Sequence, residues 1–206
     1  MSPAGKAFIC LVKNRYSVKK IVIFASGSGT NAENIIRFFA ESEDTRVVLV
    51  LSNKRNAGVL DRADQQDVDA LYFNRKALYR SDLIVNMLRD IDPDLIVLAG
   101  FLWKFPENIL RAFPGKVINI HPALLPKYGG KGMYGMHVHR AIIENRENES
   151  GITIHYVNEN YDEGAVIFQA SVPVLPEDSP ENVAEKIHTL EYEHFPQVIK
   201  KLLAAR

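Results

Sequence analysis

An amide and an imidazole stand two residues apart near the middle of the chain, at Asn119 and His121. They interrupt a β-branched apolar run over residues 117–120, which is the pattern of a buried strand. Side chains two apart on an extended chain point to one face, so Asn119 and His121 are expected side by side. Pro122 cannot donate to a strand ladder and predicts the end of the strand. Since ligands bind beyond the carboxyl ends of parallel strands, the pair is a candidate for catalysis; the alternative is a polar strand end satisfied by backbone.

A loop of glycine, serine, threonine and asparagine, residues 26–31, follows the apolar run of residues 20–25 and precedes a helix predicted over residues 32–40. Strand, glycine-rich loop and helix aim free backbone N–H groups at an anion. The glycines allow a close approach, while Thr30 and Asn31 can cap the helix and offer side-chain donors. The loop lacks both the dinucleotide fingerprint and the Walker A pattern, so a small phosphate monoester is the favoured ligand. A plain tight turn is the alternative.

Two further polar clusters are weaker candidates when they are considered alone. Asp162 lies in an acidic loop, residues 158–164, and by itself indicates only a turn. His137 and His139 have the spacing of a metal-binding pair, but no acidic or cysteine partner lies close to them in the sequence. We therefore predict no metal site.

The elements that must position these residues alternate strand and helix over the first ~120 residues, which favours a doubly wound α/β fold with a mostly parallel sheet flanked by helices. Predicted strands cover residues 20–25, 46–51, 70–73, 95–99 and 117–120, and predicted helices cover residues 57–66, 81–91, 107–113 and 140–145. Two later strands, residues 152–157 and 166–174, are joined by a short loop and predict an antiparallel pair added to the sheet. The first of these alternates as a half-exposed strand should.

A long last helix is predicted to begin at Ser179 with Pro180 at its first position. Pro196 should kink or interrupt it. One apolar face is predicted to contain Val183, Ile187, Leu190, His194, Val198 and Leu202.

Residues 100–106 hold three aromatic side chains and a leucine in a predicted loop. They can form one wall of an apolar cleft for a flat ring, or they can pack into the core. The glycine-rich segment of residues 129–135 is a natural place for a lid, and we hypothesise that it orders when ligands bind.

Composition excludes several classes of function. The 206 residues suit one domain, and a formal net charge of zero gives no reason to expect nucleic-acid binding. The single cysteine, Cys10, excludes an internal disulfide framework and fits the cytoplasm. No apolar run reaches the ~18–20 residues of a membrane span. We interpret residues 1–18 as a disordered extension, with a signal peptide as the weaker alternative, and residues 19–206 as one domain.

Three motifs, in the order in which they occur, resemble those of the phosphoribosylglycinamide formyltransferase family. They are Ser-Gly-Ser-Gly-Thr-Asn at residues 26–31, Asn-Ile-His-Pro-Ala-Leu-Leu-Pro at residues 119–126 and Tyr-Asp-Glu-Gly at residues 161–164. The resemblance covers about residues 19–204. The second motif is shared with other formyltetrahydrofolate enzymes, so the specificity comes from the three together.

The resemblance implies a reaction of de novo purine synthesis, in which the amine of glycinamide ribonucleotide attacks the formyl carbon of 10-formyltetrahydrofolate. It implies small-molecule partners only, no metal, no nucleic acid, no membrane, and a monomer or weak homodimer. The implied catalytic residues are Asn119, His121 and Asp162. The residues implied to bind the ribonucleotide are Gly29, Thr30, Asn31, Pro122, His188 and Glu191. The residues implied to contact the folate are Leu98, Leu102, Trp103, Val157, Asn158 and Asp162.

Two of these positions depart from the family pattern. Relatives often carry Lys or Gln where His188 stands, and they can carry Arg where Trp103 stands. The chemistry nevertheless agrees with the residue types, because Asn119 and a protonated His121 can donate to the oxyanion of a tetrahedral carbon. Asp162 can hold the charge state of His121 and help to move a proton.

Three alternatives differ in what they would require. Methionyl-tRNA formyltransferase would need a further C-terminal domain with a basic surface. Formyltetrahydrofolate hydrolase would need an N-terminal regulatory domain, for which residues 1–18 are too few. A doubly wound module that only senses a phosphorylated nucleotide would leave Asn119, His121 and Asp162 without a task.

Overall fold

Alternate residues of the first strand pack into two different hydrophobic clusters. Ile21 and Ile23 belong to one cluster and Val22 and Phe24 to the other, and all four are fully buried. This is the pattern of a sheet covered on both faces. The computed structural model describes residues 18–205, so the prediction for residues 1–18 lies outside the described residues apart from Val18.

Seven strands form one sheet in the order β3-β2-β1-β4-β5-β6-β7. The strands are β1 (Lys19–Ala25), β2 (Thr45–Ser52), β3 (Ala70–Tyr72), β4 (Leu95–Leu98), β5 (Val117–His121), β6 (Glu149–Tyr156) and β7 (Val166–Pro173). The neighbours among β1 to β5 pair in parallel, whereas β6 pairs antiparallel with both β5 and β7. The predicted doubly wound, mostly parallel sheet with a C-terminal antiparallel part is therefore confirmed.

Seven helices accompany these strands within residues 18–205, six of them between strands and α7 after β7. They are α1 (Thr30–Phe39), α2 (Gly58–Asp64), α3 (Arg75–Tyr79), α4 (Leu83–Ile91), α5 (Glu107–Ala112), α6 (Met136–Glu144) and α7 (Pro180–Ala204). Helix α3 was not predicted. Helix α6 begins four residues before the predicted residue 140, so that His137 and His139 lie within the helix and not before it. The glycines that precede Met136 obscure this start in the sequence.

The prediction that β6 is half exposed is wrong. Residues from Ser150 to His155 are all buried, because β6 pairs on both edges and α7 packs against it. The alternation of side chains between solvent and protein is instead found in β7, which forms the edge of the sheet. The position of a strand inside the sheet or at its edge decides its burial here, and the residue pattern of β6 alone does not reveal that position.

Helix α7 begins as predicted and does not end at its internal proline. The Ser179 side chain accepts from the Asn182 N–H, and Asn182 reciprocates at the Ser179 N–H. The helix continues through Pro196, so Pro196 does not interrupt it, and the alternative of a kink stays a prediction. Its buried face contains Glu191 and Phe195, while Leu190 and His194 are only half buried. A carboxylate on the buried face of a helix demands a partner.

The apolar residues of the loop after β4 divide between the two predicted roles, core packing and a wall of the cleft. Phe105 is buried and meets Phe24 edge to face, with ring centroids 5.1 Å apart. Leu102, in contrast, is 39% exposed. Part of the loop therefore belongs to the core, and part of it is free to face a ligand.

Candidate active site

The carboxyl ends of three neighbouring parallel strands meet at one edge of the sheet. Loops that follow β1, β4 and β5 line a single cavity of about 660 Å³. Helices α6 and α7 and the glycine-rich segment of residues 130–135 close it from the other side. This is the position and the size expected of a ligand site in a doubly wound fold.

The loop after β1 depends on one glycine. Gly29 has φ +82°, and a Cβ there would lie 2.4 Å from the Val59 side chain, so only glycine fits. Gly29 is the N-cap of α1 and leaves the first turn without a side-chain cap. The predicted capping by Thr30 and Asn31 is therefore wrong, because the helix begins at Thr30 itself. Its free N–H groups are suited to an anion.

Ser26 connects this loop to the loop after β4. Its buried hydroxyl accepts a hydrogen bond from the Leu102 N–H over 2.9 Å, and its own N–H donates to the Gly100 carbonyl over 3.1 Å. Two walls of the cavity are thereby held at a fixed separation.

Three residues assigned to the ribonucleotide come together from opposite ends of the chain. Asn31 Nδ2 donates to Glu191 Oε2 over 2.8 Å, and His188 Nδ1 donates to the same oxygen over 2.8 Å. The hydrogen bond to Glu191 raises the pKa of His188, since the carboxylate favours the imidazolium form. Glu191 is only 5% exposed, and Asn31 Oδ1 is buried with no partner among the described residues.

The predicted catalytic residues also meet at this cavity. His121 is 3% exposed, its Nε2 lies 2.7 Å from the Tyr128 carbonyl and its Nδ1 lies 3.6 Å from Asp162 Oδ2. Because a carbonyl only accepts, Nε2 carries the proton in the neutral ring. The 3.6 Å separation at Nδ1 is too long for a direct hydrogen bond, so Nδ1 has no hydrogen bond to the carboxylate.

Asp162 is held in an uncommon backbone conformation. Its φ is +56°, a left-handed geometry that aspartate tolerates better than most residues. Gly164 permits the turn, because a Cβ there would lie 1.6 Å from the Tyr156 carbonyl oxygen. The carboxylate accepts the Gly130 N–H over 2.9 Å. The acidic turn therefore sets the backbone of Asp162, and the Gly130 N–H holds its carboxylate.

Sequence reasoning missed His155, which lies opposite Asn119 in the antiparallel register. Its Nδ1 donates to the Tyr156 carbonyl over 2.8 Å, so its Nε2 is free to accept from Asn119 Nδ2 over 3.1 Å. The same Nε2 lies 3.6 Å from Asp162 Oδ1. The Asn119 amide is therefore oriented by a fixed ring. The pairing of β5 with β6, had it been predicted, would have identified this residue.

Burial and charge act in opposite directions on this pair. Burial lowers the pKa of His121, and the Asp162 carboxylate and the Tyr128 carbonyl only partly offset that effect. Burial of Asp162 opposes its ionisation, but contacts with His155, His121 and the Gly130 N–H outweigh it and lower its pKa. Both directions favour a neutral imidazole beside a carboxylate, whereas the role expected from the sequence uses a protonated His121.

His139 is a second functional candidate that its sequence context did not reveal. The ring is 3% exposed, lines the cavity and lies on α6. Burial and the neighbouring His188 lower its pKa to about 4. Its Nδ1 has no hydrogen-bond partner within residues 18–205. Across that part of the chain no cluster of three or more His, Cys, Asp or Glu side chains has the arrangement of a metal site.

The residues assigned to the folate are not all in contact with the cavity. Leu102 and Asp162 line it. Pro122, which was assigned to the ribonucleotide, lines it as well. Trp103 instead packs beneath the Arg75 guanidinium, 4.7 Å from the ring centroid. The remaining residues, Leu98, Val157 and Asn158, do not lie in its described lining. All of these assignments remain predictions.

Comparisons with known proteins agree on one family. The model of the formyl transferase family matches residues 19–199. A phosphoribosylglycinamide formyltransferase from Haemophilus influenzae is 40% identical over 89% of this chain and 86% of its own length. A chloroplastic one from Arabidopsis thaliana is 37% identical over 91% of this chain, which spans 66% of that protein. The crystal structure of glycinamide ribonucleotide transformylase 1 from Symbiobacterium toebii superposes with a TM-score of 0.83 at 32% identity, covering 92% and 89% of the two chains.

Proposed function

Since the chain belongs to the formyl transferase family, we propose that it transfers a formyl group to the amine of glycinamide ribonucleotide in purine biosynthesis. The relatives named above are phosphoribosylglycinamide formyltransferases, which agrees with the resemblance of the three sequence motifs. The observation that carries the proposal is the meeting of Asn119, His121 and Asp162 at the same cavity as the loop of residues 26–31. One end of that cavity suits a phosphate, and the other suits acyl transfer.

The phosphate of the ribonucleotide is proposed to bind at the first turn of α1. The uncapped N–H groups after Gly29 and the side chains of Thr30 and Asn31 would hold it. The ribose hydroxyls would then reach Glu191, whose carboxylate is already fixed by Asn31 and His188. The amine of the substrate would extend from there towards Asn119 and His121.

The proposed formyl donor is 10-formyltetrahydrofolate, bound as a co-substrate. A cavity of about 660 Å³ is within the usual range for a ligand site. Leu102 and Phe101 give the wall after β4 an apolar surface against which a flat ring can pack. The segment of residues 129–135 remains our candidate for a lid over that ring.

The proposed reaction is direct attack without a covalent enzyme intermediate. The amine nitrogen forms a bond to the formyl carbon, and the carbonyl oxygen becomes an oxyanion on a tetrahedral carbon. One N–H of the Asn119 amide donates to His155 Nε2, and the other would donate to this oxyanion. Collapse of the intermediate breaks the bond from carbon to the folate nitrogen and gives N-formylglycinamide ribonucleotide and tetrahydrofolate.

The proton must travel from the attacking amine to the departing folate nitrogen. Neutral His121 is suited to accept it at Nδ1, where the resulting N–H would face Asp162 Oδ2 across 3.6 Å. The carboxylate stabilises the imidazolium while the Tyr128 carbonyl holds the opposite nitrogen. His121 can then return the proton to the leaving group, directly or through a water. These steps need no metal.

Two broader statements remain proposals as well. A cytoplasmic location fits the composition, although the Arabidopsis relative is chloroplastic by name, so the compartment varies among relatives. No helix within residues 18–205 has the length and apolar character required to cross a membrane. The expected monomer or weak homodimer stays a prediction.

A spectroscopic assay of the purified protein tests the proposal. The donor is a 10-formyl-dideazafolate, the acceptor is glycinamide ribonucleotide, and each is also omitted in turn. We expect deformylation only when both are present. Release of formate without the ribonucleotide would indicate a hydrolase, and no reaction under any condition would favour a module that only binds the nucleotide.

A further inference from the structure

One buried side chain in the cavity has no use in the proposed reaction. His139 lies on α6 and is 3% exposed, yet it lines the cavity. Its Nδ1 is buried without a partner among the described residues. A neutral imidazole has one donor and one acceptor, and a buried polar atom left unpaired is destabilising. Such an atom in a ligand cavity points to a group that arrives with the ligand.

The neighbours of His139 indicate which part of the ligand it meets. His188 and Glu191 from α7 and His121 from β5 are its electrostatic neighbours. Glu191 is assigned to the ribose and His188 to the ribonucleotide, while His121 is assigned to the reacting amine. His139 therefore lines the same cavity as the residues proposed to bind the ribonucleotide and its reacting amine.

The charge state of His139 also fits a role in hydrogen bonding. Burial lowers its pKa to about 4, so the ring is neutral at neutral pH and can both donate and accept. A neutral ring can pair with a hydroxyl or an amide without placing a second cation beside His188, whose own pKa is raised by Glu191.

We propose that His139 is a substrate-binding residue that hydrogen-bonds the polar groups of the ribonucleotide between its phosphate and its amine. The proposal rests on the proposed function, because it takes glycinamide ribonucleotide as the ligand. It assigns to this residue a contact that the catalytic residues and the residues 26–31 do not make.

The test compares His139→Phe with His139→Gln. Phenylalanine fills the space of the ring without polar atoms, whereas glutamine restores a donor and an acceptor. By calorimetry we expect His139→Phe to bind glycinamide ribonucleotide ~10-fold more weakly and His139→Gln to recover most of the loss. Inorganic phosphate and the folate donor should bind both variants as they bind the wild type.

His137→Phe is the matched control, because His137 lies on the same helix but is exposed and packs against Tyr134. Its affinity for the ribonucleotide should equal that of the wild type. Melting temperature gives a second readout. Removal of an unpaired buried nitrogen should leave the melting temperature of ligand-free His139→Phe unchanged or raise it, while binding falls.

Three results would contradict the inference in distinguishable ways. Equal ribonucleotide affinity in folded His139→Phe and wild type would overturn it alone. A lower melting temperature of His139→Phe together with weaker binding of every ligand, phosphate included, would show that the residue is structural. If the wild type bound no ribonucleotide, the proposed function would be overturned as well.

Discussion

The two ends of the cavity differ in how their polar groups are satisfied without a ligand. At the catalytic end, His121 Nε2 and both nitrogens of His155 have partners, and Asp162 accepts from a backbone N–H. At the ribonucleotide end, Asn31 Oδ1 and His139 Nδ1 are buried with no partner among the described residues. The proposed catalytic groups are therefore held in place in advance, while the proposed binding groups are left for the substrate to complete.

The largest effect should come from breaking the catalytic end alone. Asp162→Asn removes the charge that stabilises the imidazolium of His121, so kcat should fall by ~10²-fold or more. Binding of the ribonucleotide should remain nearly intact, because Asp162 is not at that end. Steady-state kinetics and calorimetry measure the two quantities.

Glu163→Gln is the control for Asp162→Asn. Glu163 is the adjacent carboxylate, but it is exposed and accepts only from Asn160 within the described structure. Its turnover should match the wild type. Near-normal turnover of Asp162→Asn would remove Asp162 from the mechanism.

Thr30→Asp should break the other end. A carboxylate beside the proposed phosphate repels it, and KM for the ribonucleotide should rise roughly 10- to 100-fold with a smaller change in kcat. Thr30→Asn, which has nearly the same shape without the charge, should stay within a few-fold of the wild type. An unchanged KM for Thr30→Asp would mean that the phosphate lies elsewhere.

A pair of glycines tests whether the backbone itself shapes the phosphate end. Gly29→Ala places a methyl group 2.4 Å from Val59 at φ +82°, and it should destabilise the fold by about 2–4 kcal/mol in urea titrations. Gly27→Ala meets no atom within 4 Å and should change the free energy of unfolding by only a few tenths. Equal effects of the two changes would mean that the left-handed turn is not required.

The smallest effect concerns pH and His139. In the unfolded chain its imidazole has the ordinary pKa of 6.5, whereas in the folded protein the pKa is about 4. As pH falls, the unfolded state takes up the proton first, so stability is lost between about pH 6.5 and pH 4. His139→Phe should lack this loss, and the gap to wild type between pH 7 and pH 5.5 should be about 1 kcal/mol.

Denaturation at several pH values measures that gap. His121 has a lowered pKa and acts in the same direction, while His188 has a raised pKa and acts in the opposite one. Both residues remain in the variant, so their contributions largely cancel in the comparison. A gap that does not change with pH would show that His139 is not held neutral by the fold.

Much of the catalytic end could be predicted from the sequence because its signals are local. Asn119 and His121 follow an apolar strand, and Pro122 marks its end, so their shared face needs only the geometry of one strand. The turn around Asp162 is likewise visible in its acidic and glycine residues. The contacts that each of these side chains makes could not be predicted from a local sequence pattern.

The missed features depend on contacts between distant segments. His155 matters because antiparallel register places it opposite Asn119, and β6 is buried because β7 pairs with its other edge. Glu191 lies on the buried face of α7 where a spacing rule favoured Leu190, because Asn31 and His188 satisfy its charge there. Tertiary partners, which a single helix or strand does not encode, decided each case.

The hydrogen bond between Asn31 and Glu191 joins residues 160 positions apart. The proposed phosphate loop and the strand with Asn119 and His121 precede α7 in the chain, so the proposed ribonucleotide site is complete only after α7 has been made and has packed. The contact between α1 and α7 also matters for proteolysis of the folded protein. A ribonucleotide bound between α1 and α7, as proposed, would stabilise the packing of α7, and it should therefore protect that helix from limited proteolysis.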